Sequence, residues 1–189
     1  ILRQWSMLHP EFAFLPRKFK IAVTGAREDR AAIAWHDIGL RLHRNAQGEV
    51  GFEVLVGGGM GRTPLIGSVI AEFVPWQQIL VFIEAVVRVY NLYGRRDNLY
   101  KARIKILVKA EGQKFVDAVH REFRAILEED AGGAAHLIPQ HELDRVSLCF
   151  GVPAGVVQGS STGVMRLRLR SSTRSMPISA AAASISRSM

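Results

Sequence analysis

The sequence predicts an α+β fold, an antiparallel sheet with packed helices followed by a disordered tail. Three observations carry that prediction. Before residue 75 the apolar residues fall in short, β-branched runs separated by Gly, Asn and Asp. After Pro75 they recur at helical spacing. Beyond residue 130 both patterns give way to Gly, Ser, Ala and Arg. Strands followed by helices, rather than alternating with them, place a sheet and its helices in separate layers.

Residues 1–14 mix Trp5, Met7, Leu8, Phe12 and Phe14 with Pro10, and read as a short helix or turn feeding the first strand. Lys18 to Thr24 is the first predicted strand, closed by Gly25. Side chains two apart on a strand share a face, so Lys18 and Lys20 point one way and Phe19 the other. Two ammonium groups so placed repel each other unless an anion lies between them. Ala31 to Leu42 reads as a second strand, Asn45-Ala46-Gln47-Gly48 as a turn, and Val50 to Val56 as a third strand. Strands two and three then form an antiparallel hairpin.

Gly57, Gly58 and Gly59 open a loop that extends to Ser68, and Val69 to Val74 is ambiguous between strand and coil. Pro75 suits a first helical position, with a long helix from Trp76 to Tyr93 ended by Gly94. Ile79, Leu80, Ile83, Val86, Val87 and Tyr90 form its apolar face, and Glu84 with Arg88 is expected as an exposed i,i+4 pair. Asn98 is expected to cap a helix over Leu99 to Ala110, and Gly112 to separate it from another over Gln113 to Glu128.

The chain has 189 residues, 48% apolar and 22% charged, enough for one domain with a real core. The net charge is +8, but the five arginines after residue 150 are unaccompanied by acids, leaving +3 on residues 1–150. The basicity is therefore largely a property of the tail. One cysteine, Cys149, excludes an internal disulfide framework and fits a reducing, cytoplasmic setting. No apolar run is long enough to span a bilayer, and no signal peptide is evident at the start. His136 and His141 are interrupted by Pro139, and His36 stands beside Asp37, so the histidines offer no metal-binding spacing. Gly57 to Thr63 is not a phosphate-binding P-loop, because Arg62-Thr63 lacks its lysine.

Leu15-Pro16-Arg17-Lys18-Phe19-Lys20, then Val56-Gly57-Gly58-Gly59-Met60 with Arg62-Thr63, then Glu72-Phe73-Val74-Pro75, Tyr93-Gly94-Arg95-Arg96-Asp97 and Ala102-Arg103-Ile104-Lys105 occur in that order. Together they resemble the sirohaem-dependent nitrite and sulfite reductases, with sulfite reductase haemoprotein nearest. The resemblance covers about Leu15 to Glu129, and implies a sirohaem half-domain of an oxidoreductase of sulfur assimilation. It divides the chain into a leading segment (1–14), the half-domain (15–130), and a linker with a low-complexity tail (131–189). The abrupt change of composition in that tail is expected of an aberrant, frame-shifted terminus.

Carried over residue by residue, the resemblance assigns Lys18 and Lys20 to oxyanion binding. Arg17, Gly57, Gly58, Gly59, Arg62 and Thr63 fall to the cofactor. Glycines let a flat macrocycle approach the backbone, and a guanidinium suits its carboxylates. Members of the family that prefer nitrite commonly carry Trp-Asn at the positions of Phe19-Lys20, so the second lysine favours sulfite. The implied partners are sulfite (or nitrite), an electron donor such as ferredoxin or a flavoprotein, and the remainder of the enzyme. The family's 4Fe–4S cluster needs four thiolates, which one cysteine cannot supply. The chain is therefore expected to be an internal fragment, inactive alone. Three alternatives remain: a nitrite reductase of the same superfamily, disfavoured by Lys20; a basic anion- or nucleic-acid-binding module, disfavoured because aromatics are not interleaved with the cations; and an inactive remnant.

Overall fold

A computed structural model describes residues 1–130, with His141 and Arg145. Its centre is a four-stranded mixed sheet in the order β1 (Ile21–Thr24), β2 (Ile38–Arg44), β3 (Val50–Val56), β4 (Ser68–Pro75). The helices are α1 (Leu2–Leu8), α2 (Pro10–Ala13), α3 (Ile79–Tyr93), α4 (Ile104–Glu111) and α5 (Gln113–Glu129). The α+β class holds. The linker and tail predicted over 131–189 lie outside the described residues apart from those two positions.

β2 and β3 form the expected antiparallel hairpin, from Ile38 opposite Val56 to Arg44 opposite Val50. Asn45 closes it by accepting from the amides of Gln47 (3.1 Å) and Glu49 (2.9 Å) through its side-chain oxygen. β4 is a full strand, antiparallel to β3 with register shifts around Val54. It buries Ile70 and Val74, which settles the ambiguity over Val69 to Val74.

β1 departs from an all-antiparallel sheet: it runs parallel to β2, with Ile21 opposite Ile38. The reason lies in the connection. Ala31 to Leu42 is not one strand, because the Asp29 carboxylate accepts the Ile33 amide (2.9 Å) and Ala32 takes φ 51°. A 3-10 turn over Ile33–Trp35 follows, and β2 starts only at Ile38. A local side-chain acceptor outcompetes the ladder, and the long crossover permits parallel pairing.

α3 is the hub of the core, with Val81, Phe82, Ile83, Ala85, Val86, Val87, Val89 and Tyr90 all buried. It begins after a 3-10 turn at Trp76–Gln78, so Pro75 ends β4 instead of opening the helix. α5 packs along it through Phe115, Val119 and Ile126. α4 starts five residues later than predicted. Asn98 accepts the Tyr100 amide through its side chain (2.9 Å) and the Lys101 amide through its carbonyl (2.9 Å), forming a turn rather than a cap. Gly112, at φ 52°, separates α4 from α5 as expected.

The Glu84–Arg88 pair forms at 2.7 Å, but it is not exposed. α1 and α2 cover that face of α3, and Glu84 is only 3% exposed. Residues 1–14 are thus packed on the body, with Trp5 and Phe12 against the core and Asn91 donating to the Glu11 carbonyl (2.8 Å).

Candidate functional site

Arg17, Lys18 and Lys20 are exposed, and Phe19 between them is partly buried. Phe19 stacks on Tyr90 (centroids 6.0 Å apart, 24° between planes) and meets Phe12 edge-on. The alternation expected of a strand is present, although the ladder begins three residues later than predicted, at Ile21. Lys20 falls outside it because its N–H donates to the side chain of Asp37 (Oδ2, 3.0 Å) rather than to a strand carbonyl. Its own carbonyl accepts from the Ile38 amide at 3.1 Å. Among the described residues, no hydrogen bond or ion pair engages the ammonium of Lys18 or Lys20.

Arg17 is engaged elsewhere. Its guanidinium donates to the Leu99 carbonyl (3.0 Å) and lies 5.8 Å from the centre of the Tyr100 ring, so its contacts are with the turn before α4.

Gly57, Gly58 and Gly59 are all buried, and the space a side chain would need is filled by the chain itself. Gly57 has φ 90° and faces Val108. A Cβ at Gly58 would lie 2.3 Å from the Ala34 carbonyl oxygen, and one at Gly59 would lie 2.9 Å from an Arg103 nitrogen. The triplet lets the backbone lie close against the turn over Ile33–Trp35 and the start of α4. Arg62 and Thr63 sit beyond it in an exposed loop pinched by paired hydrogen bonds between Gly59 and Leu65 (2.9 and 3.0 Å).

Three residues for which the sequence offers no role join these pieces: Asp37, Arg103 and Lys105. Asp37 is 1% exposed. One carboxylate oxygen takes the Lys20 amide, the other takes Arg103 Nη2 (3.0 Å), and its carbonyl takes the Gly57 amide (3.0 Å). Lys105, also buried, donates to the Thr63 carbonyl at 2.6 Å and makes longer contacts to the carbonyls of Met60 (3.4 Å) and Gly59 (3.5 Å). Burial, then the like charge of Arg103, pulls the Lys105 pKa below the usual lysine value, and Asp37 opposes them. The signal available in the sequence was Ala102-Arg103-Ile104-Lys105, two cations at a helix start where acids are favoured. Cations placed against the helix dipole need partners from elsewhere in the fold.

Arg103 and Lys105 thus lie near one buried acid whose other oxygen holds the backbone of Lys20. Arg103 Nε is buried with no hydrogen-bond partner among the described residues, a donor left over. Among those residues no three His, Cys, Asp or Glu side chains cluster as a metal site would require.

The model of the nitrite and sulphite reductase 4Fe-4S domain matches residues 1–127. The chain belongs to the nitrite and sulphite reductase family. Relatives of this family member include a ferredoxin-type sulfite reductase of Synechococcus elongatus, 42% identical over 118 residues (58% of this chain and 19% of that protein). Another is the haemoprotein beta-component of an NADPH sulfite reductase from Chromohalobacter salexigens, 32% identical over 140 residues (70% and 24%). Among solved structures, the Mycobacterium tuberculosis NirA protein superposes with a TM-score of 0.55 at 31% identity, covering 61% of this chain and 21% of that one. The chain therefore spans about a fifth to a quarter of the length of these relatives. No helix among the described residues is long and apolar enough to cross a membrane.

Proposed function

We propose that this reductase-family segment forms the oxyanion-facing wall of a sirohaem site that reduces sulfite to sulfide, with Lys18 and Lys20 binding the substrate. One observation carries the reading: both lysines are exposed, Phe19 between them anchors the segment in the core, and the Lys20 amide is held by the buried Asp37 that also pairs with Arg103. The two charges offset those of the oxyanion, and their N–H groups donate hydrogen bonds as S–O bonds break. Family membership and sulfite reductase relatives support the substrate class; the presence of Lys20 favours sulfite over nitrite.

The donor set fits an anionic macrocycle. Arg62 and Thr63 in the exposed loop and the free edge of Arg17 are the groups that would meet its carboxylates. Gly57, Gly58 and Gly59 shape the loop rather than contact the ring directly. Sirohaem, when bound, supplies electrons to the substrate; this chain supplies charge, hydrogen bonds and orientation. The 4Fe–4S cluster does not fit the residues present, because the 189 residues contain one cysteine. The rest of a longer protein, and a ferredoxin or flavoprotein donor, complete the reading. So does a division into a half-domain over 15–130 and a linker and tail over 131–189.

The test is a visible spectrum of the chain expressed with a sirohaem supply. A haem-type band is expected to survive purification and to shift on adding sulfite. In Lys18→Ala/Lys20→Ala the band should remain and the sulfite shift should vanish. A colourless protein counts against the cofactor, and a shift that persists in the double variant removes the lysines from the reading.

A further inference from the structure

We propose that Asp37 is the positioning residue of the cationic face, the group that fixes Lys20 relative to the glycine loop and Arg103. The inference rests on the reading of Lys20 as an oxyanion ligand. Its basis is geometric. Asp37 is the 1%-exposed acid at the meeting point of three sequence-distant stretches. It holds the Lys20 amide at 3.0 Å through Oδ2, the Arg103 guanidinium at 3.0 Å through Oδ1, and the Gly57 amide at 3.0 Å through its carbonyl. Arg103 in turn lies where a side chain at Gly59 would be. Both carboxylate oxygens are used, and each meets a donor.

That demand identifies the chemistry. A carboxylate offers two acceptors, whereas the isosteric amide of asparagine offers one acceptor and one donor. In Asp37→Asn, whichever way the amide turns, an NH2 faces either the Lys20 N–H or the Arg103 guanidinium. One of the two tethers must break. In a well-packed interior the displaced group cannot be replaced by water at no cost.

Electrostatics alone predicts the opposite sign for ligand binding. Removing a negative charge from beneath a cationic face raises the local potential and should tighten anion binding. A positioning role predicts looser binding despite the added positive potential. The direction of the change therefore separates the two.

The experiment is a sulfite titration of the full chain, followed through the Cε–Hε NMR signals of Lys18 and Lys20. It is run on the native protein, Asp37→Asn, Asp37→Glu, and Val86→Ala as a core-destabilised control far in sequence from the face. Asp37→Asn is expected to weaken sulfite binding roughly tenfold, as an order of magnitude for losing one charge-supported tether, with Val86→Ala unchanged. Asp37→Glu keeps the charge and both acceptors but displaces them, and should weaken binding as well; it decides the matter if the asparagine variant does not fold. Equal or tighter binding in the Asp37 variants overturns the positioning role while leaving Lys20 as a ligand. Native signals that sulfite does not move overturn the ligand reading itself, and the positioning role with it.

Discussion

The imidazole Nε2 of His9 lies 3.2 Å from a carboxylate oxygen of Glu84, joining the α1–α2 connection to the middle of α3. The other Glu84 oxygen takes Arg88 at 2.7 Å, and Arg88 reaches on to Glu122 of α5 at 3.0 Å. The Glu11 amide donates to His9 Nδ1 (3.3 Å), which leaves Nε2 as the proton-bearing nitrogen facing Glu84. One buried carboxylate thus connects three helical layers. Burial lowers the Arg88 pKa, but hydrogen bonds and charge from Glu122 and Glu84 more than offset it and hold it above the ordinary arginine value.

Glu84→Ala is therefore expected to cost about 1.5–3 kcal/mol, the range for a hydrogen bond to a charged group, because Arg88 keeps Glu122 as a partner. Urea unfolding of the variant measures it, and limited proteolysis should show faster cutting within residues 1–14 as the covering helices loosen. A loss below about 1 kcal/mol, the range typical of an exposed pair, would show that the cluster does not bind α1 and α2 to the body.

Tyr90 makes a second prediction possible. It is 2% exposed, donates its hydroxyl to the Ala102 carbonyl (3.1 Å), and lies under Phe19 and the Arg96 guanidinium. Burial raises its pKa above the ordinary phenol value, with Asp37 adding to the rise and Arg96 and Arg103 opposing it. A raised acid contributes stability that is complete below the unfolded value of about 10 and is lost as pH climbs through the folded value. A late tyrosinate component in the ultraviolet titration, absent from Tyr90→Phe, is the expected signature. Coincident loss of structure on the alkaline limb should also be milder in Tyr90→Phe. Identical titration curves would mean that the hydroxyl reaches solvent.

Much of this was legible in the residues because local and global preferences agree. α3 reads from its apolar period, the β2–β3 turn from Asn45 to Gly48, and the α4–α5 break from Gly112. Three of the differences share a cause, a polar side chain that satisfies a backbone group. Asp29 converts half of a strand-like run into a 3-10 turn, Asn98 makes a turn where a helix cap was expected, and Asp37 takes the Lys20 amide out of the ladder. Of the candidate site, the exposed lysines around Phe19 follow from period-2 alternation alone. The Asp37–Arg103 contact, between residues 66 apart, has no local signature.

The glycine triplet gives a third prediction. At Gly58 an added Cβ would press within 2.3 Å of a backbone oxygen, and backbone cannot step aside as a side chain tip can. Gly58→Ala should destabilise by at least about 1–3 kcal/mol, the range for overpacking a filled site. At Gly61 the added atom meets open space and only the φ of 122° resists it, so Gly61→Ala should cost about 1 kcal/mol. Thermal unfolding of the two variants checks the order. The reverse order would mean that the loop, rather than the turn at Ile33–Trp35, limits the site.

Lys105 supplies the last. Its ammonium holds the loop from beneath through the Thr63 carbonyl at 2.6 Å, a charge-assisted bond worth about 1.5–3 kcal/mol in such settings. Arg62 is exposed on the same loop, so the bond after it is a natural reporter. Trypsin should cut Arg62–Thr63 several-fold faster in Lys105→Met than in the native chain, while global unfolding changes less. The pH dependence has a definite sign. Because the folded-state pKa of Lys105 is lowered, the unfolded chain binds more protons between that value and the unfolded value of about 10.4. Native stability relative to Lys105→Met should therefore rise as pH climbs through that window. Urea midpoints of the two proteins at a series of pH values test this directly. A constant difference would show that the carbonyls around Nζ hold the ammonium as well as water does, and that burial leaves no mark on its titration.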